Sequence, residues 1–281
     1  VVTFTAPTDA GAGEIATGSC VQIEIGSNAT SGGAGSTQIT NPTKTAAVGT
    51  ADISDIDIAG AFGDTGKIKV ATIEGVTVKA TVAETLSFTI ATVVAGSCTG
   101  DTGTPTVVGT TATDEVDFGT LAADAFKAAC HELSVTTNAG SGYVLTSQET
   151  TSMLYGSVTL DDTTCDSGTC SESIQDDWVT ASANQGLGHT CTNTTNTPCD
   201  TVYTTPAGAC AAAPCYRQFA CVGSDANCDP GSGTETAQTF MSSTGTASND
   251  QAKVHYKISR NSTQTAGAYQ NTIVYIATPT Y

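Results

Sequence analysis

The residues best suited to chemistry in this chain are its cysteines. Eight of the eleven lie between Cys165 and Cys228, in a stretch otherwise made of Thr, Ser, Gly, Asn and Asp with almost no aliphatic side chains. Ordering a backbone costs roughly 1–2 kcal/mol per residue, and a stretch so poor in apolar surface cannot offset that through a core of its own. Oxidation of the thiols to disulfides is the chemistry that would hold it in shape, and it places the chain outside reducing compartments. Local pairing is the simplest scheme: Cys165 with Cys170, Cys191 with Cys199, Cys210 with Cys215, Cys221 with Cys228, and the more distant Cys98 with Cys130. Spacing alone does not fix connectivity. Cys20 is then left over, either as a buried thiol behaving like a small hydrophobe or as half of a bond to another chain.

Other reactive groups are few. Three histidines could act as bases or ligands: His131 at the start of a strand, His189 in the cysteine-rich stretch, and His255 on the outward side of an alternating strand. A structural role is the expectation for each. Asp225-Ala-Asn227-Cys-Asp229 puts three oxygen side chains at alternate positions, as a calcium loop does. It departs from an EF-hand at Pro230 and Thr236, and a solvated, disulfide-pinned turn is the competing reading. Asp52, Asp55 and Asp57 form a second acidic set on a strand-like run, where their side chains should diverge. Gly-x-Ser-x-Gly, His-Glu-x-x-His, Walker A and Cys-x-x-Cys are all missing. The expectation is a non-enzyme without a cofactor, calcium being the one ion the pattern admits.

Composition sets the partners. The 281 residues are 39% hydrophobic, enough for a real core. Twenty-seven acids against nine Lys plus Arg give a net charge of -18, which disfavours nucleic acid and anionic membranes. No run reaches the 18 or so apolar residues of a membrane span. Threonine, at 53 residues, suits the exposed faces of strands. Asn28, Asn193 and Asn261 head Asn-x-Ser/Thr sequons and are candidate glycosylation sites. Val1 opens directly into a strand-like pattern without a basic-then-apolar leader, so the expectation is a secreted chain whose signal peptide has been removed.

The elements that must position these groups read as strands. Val21/Ile23/Ile25, Ile68/Val70, Val76/Val78/Ala80/Val82, Leu86/Phe88/Ile90, Val254/Tyr256/Ile258 and Ile273/Tyr275/Ala277 all alternate with polar neighbours. Leu121–Cys130, short and Ala-rich, is the single helix candidate. This pattern predicts an all-β protein, a β-sandwich of jelly-roll or Ig-like kind. Residues 161–250 would be a cysteine-rich insertion between sandwich strands, in a body spanning 18–281 that could divide near 82/83. Trp178, Tyr203, Tyr216 and Phe219 within the insertion could form a stacking platform for sugars.

Residues 1–17 form a separate feature. Val1, Val2, Thr3, Phe4, Thr5 and Ala6 read as a strand with Val2, Phe4 and Ala6 on one face, followed by Pro7 and a Gly/Ala-rich linker. Such a strand can close its own sheet, or it can enter the groove of a neighbour by donor-strand exchange and so build an open filament.

Gln38-Ile-Thr-Asn-Pro-Thr43, Gly75-Val-Thr-Val-Lys-Ala-Thr-Val82, Leu86-Ser-Phe-Thr-Ile90, Val116-Asp-Phe-Gly-Thr-Leu121, Leu133-Ser-Val-Thr-Thr-Asn-Ala139 and Ala266-Gly-Ala-Tyr-Gln-Asn-Thr-Ile-Val-Tyr-Ile-Ala-Thr-Pro279 resemble a family of secreted, Thr-rich bacterial surface proteins. More distantly, the layout is similar to extracellular fibre subunits of the camelysin/TasA kind and archaeal thread-like pili. That resemblance implies sandwiches that polymerise head to tail by donating an N-terminal strand, a cell-surface location, and the protein itself as principal partner. The alternative expectation is an adhesin or carbohydrate-binding module using the cysteine-rich insertion, with glycans or other surface components as partners.

Overall fold

The computed structural model describes residues 42–59, 65–222 and 235–281. The chain divides into two compact units, Val1–Thr81 and Val82–Tyr281. In the first, β1 (Asp52–Ile58) and β2 (Gly66–Thr72) form an antiparallel pair with Asp55 opposite Lys69 and Asp57 opposite Lys67. Asp55 lies 3.0 Å from both Lys67 and Lys69, and those hydrogen bonds hold its carboxyl below the usual range. Asp57 contacts Lys67 at 3.3 Å, while Asp52 accepts from the backbone N–H groups of Thr45 and Ala46. The three acids each stabilise the hairpin and its approach rather than converging on one centre. Val76 to Val82, expected as a strand, forms none, and Val76, Val78 and Val82 stand exposed. Period-two alternation makes a strand only where a partner strand supplies hydrogen bonds and cover, and among the described residues none does.

The second unit is an all-β sandwich. Its strands are β3 (Leu86–Thr92), β4 (Thr106–Val107), β5 (Lys127–Thr137), β6 (Tyr143–Glu149), β7 (Met153–Tyr155), β8 (Val158–Leu160), β9 (Gly186–Thr195), β10 (Gln238–Ser243), β11 (Ala247–Ser259) and β12 (Ile273–Pro279), with one short helix, α1 (Thr201–Thr204), after β9. The larger sheet runs β3-β5-β11-β9, with β4 added in parallel to β5, and the smaller runs β10-β6-β12. β5 crosses to β6, and β10 to β11, by short corners. Gly142 makes the first corner possible: its φ is +84°, and a Cβ there would run into the backbone of Ser243. The core between the sheets is built from alternate residues, Leu133 and Val135 from β5, Tyr143 and Leu145 from β6, and Val254, Tyr256 and Ile258 from β11, joined by the consecutive Phe240 and Met241 of β10, where the register with β6 shifts.

Two local expectations fail for one reason. Leu121–Cys130 is not a helix; it runs into β5, where Ala128 sits opposite Lys257. His255 does not face outward to solvent but is fully buried. Both follow from cover on the outer face of the large sheet. There Val93, Cys98, Cys130 and Val107 cluster on one side, and Phe126, Cys165, Cys170, Trp178 and Tyr216 on the other. The alanines of β5 are thus small residues in a crowded layer, and tertiary packing overrides their helix propensity. The cysteine-rich stretch is likewise not carried wholly outside the sandwich: it supplies β9 to the large sheet and Tyr203 and Phe219 to the main core.

Burial pushes the His255 imidazole down to about 4, with the Lys253 and Lys257 ammonium groups acting in the same direction. An unfolded histidine titrates near 6.5. Between those values the unfolded chain binds a proton that the folded chain refuses, so stability falls as pH drops through the window. Denaturant titrations between pH 6.5 and 4.5 should therefore show a shallower pH dependence for His255→Gln than for the parent, by about one proton or ~1.4 kcal/mol per pH unit. Equal slopes would contradict the assignment.

Candidate functional site

The sandwich is closed along one side and open along the other. At the closed side, His189 on β9 bridges to Arg217, and Cys199 bridges to Met241 on β10, so the cysteine-rich stretch stitches the two sheets together. On the opposite side the outer edges of β3 and β12 carry no paired strand among the described residues. Phe88 of β3 and Tyr275 of β12 approach with ring centroids 6.4 Å apart. A cavity of about 1140 Å³ follows this seam, with Ile90, His131, Tyr256, Ile273 and Tyr275 among its lining.

A strap, residues 113–121, borders the cavity. Its side chains alternate as a strand's would: Val116 and Phe118 pack against the core while Glu115, Asp117 and Gly119 face out, and Leu121 packs inward at its end. Yet it makes no backbone ladder with any described residue. Side chains hold it instead. Lys127 Nζ donates to Phe118 O at 2.6 Å, Arg260 Nε donates to Leu121 O at 2.8 Å, and His131 Nε2 lies 2.9 Å from Ala112 O just before the strap. His131 is in mid-strand on β5, edge-on to Tyr256. The Tyr256 and Tyr275 hydroxyls meet at 3.0 Å, and burial pushes both phenols up, so they stay neutral. The arrangement places the apolar side chains of Val116, Phe118 and Leu121 beside strand edges that carry no paired strand among the described residues.

The other residues singled out from sequence fall as follows. The structure joins Cys98 to Cys130, Cys165 to Cys170, Cys191 to Cys199 and Cys210 to Cys215, with Cα separations of 5.6–5.8 Å. Cys221 is disulfide-bonded as well. Cys98, Cys130 and His255 come together as a buried trio. Sulfurs bonded to each other present no thiolate to a metal, so the trio is here a packing contact. Asn193 is exposed, its Oδ1 accepting from Cys199 N, and Asn261 accepts from Thr263 N in a tight turn. Val1–Ala6, Cys20, Asn28, Asp225, Asn227, Cys228 and Asp229 lie outside the described residues.

Trp178, Tyr203, Tyr216 and Phe219 require a correction. All four are fully buried, Trp178 and Tyr216 under the outer cover and Tyr203 and Phe219 in the main core, so they form no exposed platform for sugars. Few aliphatic residues were available in that stretch, and its aromatics became the apolar filling. His189 joins them on β9, stacked on Phe219 at 3.8 Å, and burial pushes its imidazole well below the ordinary value.

No family model, curated protein or solved structure matches this chain. Sequence reasoning missed the strap, although Val116-x-Phe118 carries a period-two signal, because no second strand is adjacent in sequence to reveal the seam. If side chains alone hold the strap, Lys127→Met removes one charge-assisted hydrogen bond, worth about 1.5 kcal/mol, and raises the open population about tenfold. Cleavage after Glu115 by a Glu-specific protease should accelerate by that factor while the global unfolding midpoint changes little. An unchanged cleavage rate would mean that the packing of Val116 and Phe118 suffices.

Proposed function

We propose that this protein is a structural subunit of an extracellular filament or surface coat that polymerises head to tail by donor-strand complementation. One observation carries the reading: the sandwich has an open seam whose occupant, the strap, fills apolar pockets with Val116-x-Phe118 but makes no ladder hydrogen bonds with the described residues. The segment Val1–Ala6 repeats that spacing as Val2-x-Phe4. A donor strand from a second copy would fill the same kind of pocket and add main-chain hydrogen bonds along a free edge, at about 1 kcal/mol net each. Four disulfides in the second unit, with Cys221 bonded too, support an oxidising location outside the cell. The three histidines serve packing and hydrogen bonding, which fits a building block better than a catalyst.

Negative-stain electron microscopy of the full chain beside a variant lacking residues 1–8 tests the proposal. Regular fibres from the first and monomers from the second are expected, and a Val2→Asp/Phe4→Asp variant should behave like the truncation. Fibres from all three, or from none, would reject donor-strand assembly by this segment. Because copies of net charge -18 repel, fibre growth should also quicken between about 0.01 and 0.15 M salt, where the Debye length shrinks from roughly 30 to 8 Å; slower growth at the higher salt would argue for attraction between charges at the contact.

A further inference from the structure

Lys257, on the outer face of β11, is fully buried. Its register partners are Ala128 on β5 and Gly188 on β9, which leave room for the long side chain. A Cβ at Gly188 would press on the Trp178 ring, so this glycine also lets the cover come close. Nζ lies over the rings of Tyr216, Phe126 and Trp178, at 3.6, 4.6 and 5.2 Å from their centroids. It donates to Trp178 O and to Thr102 O, the latter at 3.0 Å, and it stands 3.4 Å from Asp101 Oδ1. The Asp101 side chain is 3% exposed. Its Oδ1 accepts from the Tyr216 hydroxyl and from Thr102 N, whereas its Oδ2 is buried with no hydrogen-bond partner.

We propose that Lys257 Nζ and Asp101 Cγ join in an intramolecular isopeptide bond, formed by the folded protein without an added reagent. Transfer of one proton from the ammonium to the carboxylate gives a neutral amine and a neutral acid. Burial shifts both groups toward that neutral pair: it is the leading cause both of the Lys257 value of about 8 and of the rise at Asp101, against the mutual attraction of the two charges. Two N–H bonds of the amine remain directed at Thr102 O and Trp178 O, which leaves its lone pair toward Asp101. The Tyr216 hydroxyl and Thr102 N polarise the carbonyl at Oδ1, as donors to a developing oxyanion do. Nζ attacks Cγ, a second amine proton passes to Oδ2, and the Cγ–Oδ2 bond breaks to release water. The ammonium and carboxylate thus become one amide and one water, with no oxidant or reductant. The product retains the donors to Oδ1 and removes the unpaired oxygen. The disulfide from Cys98 to Cys130 anchors the loop bearing Asp101 to the strand beside β11, so the two groups are held together before they react.

The test is mass spectrometry of the full chain after reduction and alkylation. The expected intact mass is lower than the sequence mass by one water, while Asp101→Ala and Lys257→Met each show their full calculated mass. Should those variants fail to fold, the parent's own tryptic digest decides. A bond at Lys257 blocks cleavage there, and residues 254–260 should appear joined to residues 80–127. A full-mass parent that releases residues 254–257 as a free peptide would overturn the proposal, as would a water loss mapped to any other pair.

Discussion

Cover on both faces of β11 is the constraint from which the rest of the second unit follows. This strand pairs with β5 on one side and β9 on the other, so its hydrogen bonds are satisfied within the sheet and its side chains alone meet the layers above and below. A strand buried on both faces ordinarily reads as a continuous apolar run. β11 reads as an alternation, with Val254, Tyr256 and Ile258 toward the smaller sheet and His255, Lys257 and Ser259 toward the outer cover. The cover must therefore supply polar partners as well as bulk. Thr192 meets His255 Nε2 at 2.8 Å, the carbonyls of Thr102 and Trp178 meet Lys257, and aromatic rings and cystines replace the aliphatic residues that the sequence lacks.

That arrangement explains what was legible in the sequence and what was not. Leu86/Phe88/Ile90, Val254/Tyr256/Ile258 and Ile273/Tyr275/Ala277 announced strands because each presents a single apolar face to the common core, and that is the face alternation reports. Alternation is blind to a second cover. It makes His255 and Lys257 look solvated, and it gives no hint that Asp101, 156 residues earlier than Lys257, meets that lysine. The Ala-rich run into β5 misleads for a related reason, since small size there serves crowding between β4, β11 and the cover. Val76 to Val82 misleads in the opposite way: the pattern is present, but among the described residues no strand lies alongside to use it.

The cysteine spacing was informative because short loops bring thiols within bonding distance with little chain to arrange, as at Cys165–Cys170 and Cys210–Cys215. The same spacing did not reveal that this stretch lies inside the architecture. A strand such as β9, written Gly-Leu-Gly-His-Thr-Cys-Thr-Asn-Thr-Thr, has only one aliphatic side chain. It is a strand because β11 offers it a full edge and because Cys191, tied to Cys199, anchors its middle. Propensity contributes little there, and pairing decides.

Covalent ties and the open seam occupy opposite parts of the sandwich. The disulfide Cys191–Cys199 sits at the β9/β10 side, Cys98–Cys130 and Cys165–Cys170 lie in the outer cover, and the buried Lys257–Asp101 pair lies in that same cover. Along β3 and β12 the strap is held by hydrogen bonds from Lys127 and Arg260 and by three apolar side chains. Such a division bears on the donor-strand assembly proposed above. Displacing the strap would sacrifice two side-chain hydrogen bonds and a packing surface that, in the proposed assembly, an incoming Val-x-Phe segment would restore, and it would leave the ladders of β5, β9 and β11 in place. In the proposed assembly, exchange at the seam would proceed on a scaffold that does not loosen, whereas a cross-link from strap to sheet would close that edge.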